Sequence, residues 1–410
     1  MQRLAIDGGT PVSTSPVGHN GERFGTEEEN AVLEVLRSGK LNRNCGTRVK
    51  EFEARFADHL GVKHAIMSTS GTAAIHIALG ALNLDPGSEI ITSPITDMGT
   101  IMPILLSLCV PVFADLDPET WEISPEDIER KITPRTKAII PIHLVGNAAP
   151  MDAVMDIAER HGLDVIEDCA QAYGTTFNGK HVGTIAPQAC FSLNQSKHIT
   201  CGDGGVTVTD DDALAERALL FADKAWPRQV GRTSLFVAPN YRVTELQAAV
   251  ALAQLGRVNE ITSRRNALGD RLSAAIGDLP GIDVQRSYPN SRHTYWFYAF
   301  RVDASLRADV ASALAAEGVP TIAGYIPHPV YFFEVFHNGT TFGNSNFPYG
   351  CPPFRPAPDP VSYEPGICPV AEDLCRQMIR IPINEFWTDD DIDATAEAIR
   401  KVHHWRIAAT

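Results

Sequence analysis

The chain has 410 residues, more than one hydrophobic core usually fills, so two domains are expected. Apolar residues make up 44% and charged residues 21%, ordinary proportions for a soluble globular protein. The net charge of −15 argues against nucleic acid and against an anionic membrane surface as partners, because both require a basic protein surface.

Residues 1–25 contain Gly and Pro and are weakly periodic, which reads as an arm. The first residues, Met1 to Gly9, lack the apolar core of a signal peptide. The longest apolar stretch, Ile101 to Phe113, holds two prolines and is too short to cross a bilayer. The eight cysteines show no CxxC pair. Cys109, Cys169 and Cys190 lie in apolar strand-like contexts and read as reduced core thiols of a cytoplasmic protein. Cys351, Cys368 and Cys375 share a proline-rich region without metal-ligand spacing, and no metal is expected.

The spacing predicts an amphipathic helix over Glu27 to Leu36, stopped at Ser38-Gly39. A second helix runs from Lys50 to Leu60, with Phe52, Phe56 and Leu60 on one face and Gly61 at its end. Strands and helices then alternate. Strands fall at His64–Met67, Glu89–Thr92, Val110–Ala114, Lys137–Ile142 and Leu163–Asp168. Helices fall at Gly71–Leu82, Thr100–Ser107, Pro125–Lys131 and Met151–His161. This alternation predicts an α/β fold with a mostly parallel sheet flanked by helices, whose ligands sit at the carboxyl ends of the strands. A strand end at Ala189-Cys190-Phe191 and a strand at Val206–Thr209 bracket a polar loop. One long helix, Val243 to Ile261, leads out of this layer. A strand at Tyr295–Val302 and helices at Ala308–Glu317 and Asp389–Val402 then predict a smaller α+β domain. The expected division is an arm over 1–25, a large domain over 26–255 and a small domain over 256–410. The Gly-, Pro- and aromatic-rich stretch Phe336 to Cys368 is long enough to have a functional role.

Four features fall at strand ends or helix starts. Ser68-Thr69-Ser70-Gly71-Thr72 opens a helix and suits a phosphate, though an ordinary Ser/Thr cap has the same pattern. Glu167-Asp168-Cys169-Ala170-Gln171 ends an apolar strand, where a carboxylate needs a cationic partner or hydrogen bonds. Ser192 and Lys197 place a hydroxyl and an amine in one loop closed by Gly202-Asp203-Gly204-Gly205. A lysine desolvated between buried strands loses proton affinity, as a Schiff-base lysine requires. Asn240-Tyr241-Arg242 precedes the long helix, with Thr244 as its cap. Phosphate donors, an acid for a ring nitrogen and a reactive lysine together form the set that pyridoxal 5'-phosphate requires.

With these motifs the chain resembles the DegT/DnrJ/EryC1/StrS sugar aminotransferases, fold-type I pyridoxal-phosphate enzymes. The resemblance also covers Phe52-Glu53 to Gly61 and Pro141-Ile142-His143-Leu144-Val145-Gly146. It implies that Lys197 bears the cofactor, Asp168 bonds its ring nitrogen and Gln171 lies by the ring hydroxyl. It further implies that Ser70, Gly71, Thr72 and Ser192 hold the phosphate. Asn240 would reach the phosphate of the partner subunit in a homodimer with composite sites. The family's aromatic stacking segment reads Pro94-Ile95-Thr96-Asp97-Met98-Gly99-Thr100 here, so Asp97 or Met98 takes the stacking position. The implied reaction moves an amino group from glutamate or glutamine to a keto-sugar or keto-cyclitol. Tyr325, His328 and Tyr331 are candidate acceptor-pocket residues, and turn packing around prolines explains them equally well. A dehydratase-type relative would carry histidine at the lysine position, and a cofactor-binding regulator would carry an appended DNA-binding segment. A nicotinamide enzyme would show GxGxxG after a strand, a pattern not found here.

Overall fold

The computed structural model describes residues 3–339, 341–343 and 361–408. Its centre is a seven-stranded sheet made of β1 (His64–Ser68), β2 (Glu89–Thr92), β3 (Val110–Phe113), β4 (Thr136–Ile140), β5 (Asp164–Asp168), β6 (Gln188–Ser192) and β7 (Gly205–Thr209). The spatial order is β1-β7-β6-β5-β4-β2-β3. The run from β6 to β3 is parallel, whereas β7 pairs antiparallel with both β1 and β6. Because β7 starts where its neighbours end, Gly205 stands between Ser68 and Ser192 at the carboxyl edge of the sheet.

Period-two alternation buries both faces of the sheet. On one face, Met67, Ile91, Ile139, Val165, Phe191 and Val206 pack against α2 (Arg48–Leu60) and α6 (Met151–His161). Phe56 meets Phe191 edge-on at 5.2 Å. Burying such a ring contributes roughly 1.5–3 kcal/mol. On the other face, Ile90, Ile140, Ile166 and Cys190 pack against α3 (Gly71–Leu82) and Ile104 of α4 (Met98–Leu106). A second sheet of four short strands draws on Asp283–Val284, Tyr298–Arg301, Ile322–Ala323 and Met378–Ile381. Helices Arg307–Ala316 and Asp389–Val402 contribute to its separate core.

Two elements differ from the sequence expectation. The long helix is two helices, Glu245–Leu255 and Val258–Ile276. The ladder breaks at Gly256-Arg257, where Arg257 turns to φ −106°, ψ 0°. The break lets the Arg257 guanidinium reach Glu27 and Glu28 of the first helix, Thr26–Ser38. The strand near 298 is also shorter than its aromatic pattern suggests. Tyr295 takes a left-handed φ of 46°, and the amides of Thr294 and Trp296 donate to Gly146 O and Val145 O. Residues 294–296 are therefore tied to the large sheet's loops, and this brings Trp296 to the site. No helix among the described residues is long and apolar enough to cross a membrane.

Candidate active site

The site is assembled along the carboxyl edge of the sheet. Ser70 caps α3, its Oγ accepting from the Ala73 amide at 3.0 Å. The amides of Gly71 and Thr72, at the first two helical positions, have no partner within the helix, and the helix dipole adds positive potential there. Ser192 closes the opposite wall. A Cβ on Gly71 would lie 2.8 Å from Ser192 Cβ, and one on Gly99 would lie 2.8 Å from Thr72 Oγ1. Only glycine at these two positions lets the Ser192 and Thr72 hydroxyls line the same cradle. Gly205 is constrained for the same reason: a Cβ there would sit 2.1 Å from Ser70 O.

Asp168, at the end of β5, is buried. Its Oδ2 accepts from Thr100 Oγ1 at 2.7 Å and its Oδ1 from the Ala170 amide at 3.0 Å. Burial raises the carboxyl's proton affinity, and these two bonds together with the charges of Lys197 and His143 oppose it. Among the described residues no cation lies within 4.0 Å of Asp168, so its charge is left for a partner not supplied by these side chains. His143 is held nearby: its Nδ1 accepts from the Ala149 amide at 3.0 Å and its Nε2 pairs with Glu167 at 3.1 Å.

Lys197 is buried in the loop between β6 and β7, with 7% of its surface exposed. Its Nζ stands 3.6 Å above the centre of the Trp296 ring. Desolvation brings its pKa down to about 8, with Asp168 and Asp97 pulling in the opposite direction. The amine is thus close to its protonation midpoint under ordinary conditions.

The other expected site residues divide. Gln171 is buried, accepts from the Val145 amide at 2.8 Å and donates to Tyr325 Oη at 3.4 Å. Tyr325 packs against Trp296 and Phe297, and burial raises its phenol pKa. Asp97 is exposed at the start of α4, bonded to the Gly99 amide at 2.7 Å, and its charge acts on both Lys197 and Tyr325. Met98 turns instead to the apolar cluster around Phe113 and Trp121. His328 packs beside Phe332 and Phe333. Tyr331 is not brought to the pocket: it is fully buried, stacks near Phe113 and donates to Glu372 at 2.6 Å. The proline-rich turn folds it into the core, so the packing alternative describes it. Asn240 is exposed, and its Oδ1 accepts from the Arg242 amide at 3.3 Å. Cys351 and most of the stretch between 336 and 368 lie outside the described residues. Cys368 and Cys375 are buried free thiols. Thr100, His143 and Trp296 were not singled out from sequence. Thr100 closes the Pro94–Thr100 segment and lies in the first turn of α4, from which its hydroxyl reaches Asp168.

These features fit pyridoxal phosphate. A glycine-lined cradle with hydroxyls and free helix amides suits the phosphate, a buried carboxylate without a cation suits a protonated ring nitrogen, and a desolvated amine suits the carbonyl carbon. The family model of the DegT/DnrJ/EryC1/StrS aminotransferase family matches residues 22–350. The spore coat polysaccharide biosynthesis protein SpsC of Bacillus subtilis is 33% identical over 397 residues, covering 92% of this chain and 95% of its own. The GDP-perosamine synthase of Caulobacter vibrioides is 36% identical over 320 residues, covering 77% of this chain and 85% of its own. The X-ray structure of DesV from S. venezuelae, in complex with a ketimine intermediate, superposes with a TM-score of 0.81 at 29% identity, covering 93% of this chain and 94% of that one. The chain belongs to the DegT/DnrJ/EryC1/StrS aminotransferase family. In class it is an aminotransferase that uses pyridoxal phosphate.

Proposed function

We propose that the enzyme moves an amino group from glutamate or glutamine to the carbonyl of a keto-sugar or keto-cyclitol, in amino-sugar biosynthesis. Lys197, Asp168 and the cradle of Ser70, Gly71, Thr72 and Ser192 would hold the cofactor. The observation that carries this reading is the Lys197 amine, buried over Trp296 on the same sheet edge as Asp168 and the cradle. The name of the Caulobacter relative favours a nucleotide-linked sugar as acceptor.

Pyridoxal phosphate, when bound, supplies the electron sink that lets a proton leave the carbon bearing the amine. The chain supplies the rest. Lys197, with a pKa of about 8, can both take and return a proton near neutral pH, as a general base and acid must. The Trp296 face stabilises the ammonium form without a competing carboxylate contact. Asp168 offers a fixed negative charge in a site whose burial excludes water, so that charge acts at full strength. Gln171 and Tyr325 add a hydrogen-bonded polar pair, with Tyr325 packed edge-on against Trp296. Purified enzyme assayed with glutamate or glutamine against a panel of nucleotide-linked keto-sugars and free keto-cyclitols should aminate members of one class. If both donors fail with every acceptor while the bound cofactor stays spectrally unchanged, the proposal is wrong.

The assembly proposed is a homodimer in which Asn240 serves the partner's cradle. Its support is the exposure of Asn240 on a segment whose neighbour Arg242 bridges to Ser68 at the end of β1. A hydrogen bond to a charged phosphate contributes roughly 1.5–3 kcal/mol, so Asn240→Ala should weaken cofactor retention without unfolding the chain. Mixing Lys197→Ala chains with Asn240→Asp chains should then restore activity, because one site of each heterodimer carries neither defect. Full subunit exchange without a rise in activity would show that each chain holds a complete site.

A further inference from the structure

Arg23 lies in the N-terminal arm, far along the chain from the lysine loop, yet it is bonded to that loop three times. Its Nη1 donates to Gln195 O at 2.7 Å, and its Nη2 donates to Lys197 O at 2.5 Å and to His198 O at 2.8 Å. One planar guanidinium therefore gathers three main-chain carbonyls on the two sides of the reactive residue. Carbonyl dipoles pointing at one place repel each other, and only a charged fork of donors holds them there.

The same guanidinium belongs to a closed ring of contacts. Glu385 Oε1 sits 3.8 Å from Arg23 Nε, and Glu385 Oε2 accepts from Arg265 Nε at 2.8 Å. Arg265 Nη1 donates to Trp296 O at 2.9 Å. Trp296 Nε1 donates to Ser196 O at 2.7 Å, which returns the ring to the lysine loop. The contacts fix the backbone that carries Lys197 and the aromatic face beneath its amine relative to each other. Arg23, Gln195, Ser196, Arg265, Trp296 and Glu385 also help line a cleft of 390 Å³, so the ring borders open space that water would enter if a member were lost.

We infer that Arg23 is a positioning residue for Lys197: through the loop carbonyls and the Glu385–Arg265–Trp296 chain it sets the height of the lysine amine above the indole. The arm is thereby part of the active site without touching the reacting atoms. The Gly71 cradle and Asp168 are fixed independently of it, by α3 and β5. Loss of Arg23 should disturb the amine and leave the phosphate and ring-nitrogen partners in place. The inference rests on the reading of Lys197 as the cofactor-bearing amine, and its readout is chosen so that the two can fail separately.

The test is the pH dependence of Lys197 acylation in the full chain freed of cofactor, followed by mass spectrometry of the Lys197 peptide. The wild-type midpoint should lie near 8, since burial lowers it while Asp168 and Asp97, the charges that face the amine, oppose the shift. In Arg23→Met the loop relaxes into the cleft and the amine gains water, so the midpoint should rise by at least about one pH unit towards that of a solvated lysine. Arg23→Lys keeps a charge near Glu385 but cannot fork to three carbonyls. It should shift the midpoint the same way, and it serves where Arg23→Met is not recovered folded. In the loaded enzyme kcat should fall by about tenfold or more with little change in cofactor retention, as expected for a displaced proton carrier. A purely structural role would lower the thermal midpoint and leave the acylation midpoint unmoved, and that result overturns the inference. Turnover surviving in Lys197→Ala would instead remove the role of Lys197 while leaving the acylation result intact.

Discussion

Asp168→Asn should slow single-turnover reaction with the amino donor by about a hundredfold or more. The substitution keeps the volume of the side chain, and the Thr100 hydroxyl and Ala170 amide that bond the carboxylate remain where they are. Only the charge is removed. Breaking a buried, hydrogen-bonded charge pair by removing one partner costs roughly 3–5 kcal/mol. Each 1.36 kcal/mol in a barrier is a factor of about ten, so even part of that loss is visible. The cofactor-free chain should respond in the opposite direction. Burial raises the Asp168 pKa in the folded state, so over the window between its ordinary and raised values the folded chain holds a proton that the unfolded chain has released. Stability therefore falls as pH rises through that window, and at neutral pH Asp168 is a liability to the empty fold. Asp168→Asn should be more stable than wild type without cofactor and far slower with it. Denaturant unfolding gives the first quantity and stopped-flow absorbance the second. An unchanged single-turnover rate rules out the assigned role.

How much of this was legible beforehand follows from which interactions are local. Ser70, Asp168 and Ser192 each end or follow a short apolar run, and an apolar run followed by a polar cluster marks a strand end without reference to the rest of the fold. Lys197 was legible as a loop lysine, but its burial depends on Trp296, a hundred residues further along. The run Tyr295–Val302 alternates aromatics in a way that reads as one strand. Nothing in it announces the left-handed turn at Tyr295 that ties this segment to Val145 and Gly146. The direction of β7 was likewise hidden, because the apolar pattern of Val206–Thr209 is the same whichever way the strand runs. The break at Gly256-Arg257 accompanies ion pairs from Arg257 to Glu27 and Glu28, partners that helical periodicity does not register. Tyr331 shows an alternative that local sequence leaves open. An aromatic beside prolines suits a ligand pocket and turn packing equally well in sequence, and its hydroxyl is bonded to Glu372 inside the core.

Lys197→Met should abolish turnover and, in the same molecule, stabilise the cofactor-free fold. The loss of turnover follows because no other lysine shares the carboxyl edge with Asp168 and the cradle among the residues described for this site. The gain in stability follows from burial. Lys197 makes no hydrogen bond through its amine among the described residues, and its pKa falls from the ordinary 10.5 to about 8 chiefly by desolvation. That difference corresponds to about 3 kcal/mol of penalty on the charged form. Between about 8 and 10.5 the unfolded chain holds a proton that the folded chain has released, so stability rises with pH across this window. The penalty is fully present below pH 8 and has gone above 10.5. Methionine fills a similar volume without a charge to desolvate, and its thioether packs well against an indole. Denaturant unfolding of the cofactor-free variant should therefore show a gain of up to about 3 kcal/mol at pH 7 that shrinks towards zero by pH 10.5. Active sites trade stability for a reactive group in this way. Equal stability of wild type and variant at pH 7 would mean that the amine is solvated in the empty protein. The burial of Lys197 over Trp296 would then not be the source of its reactivity.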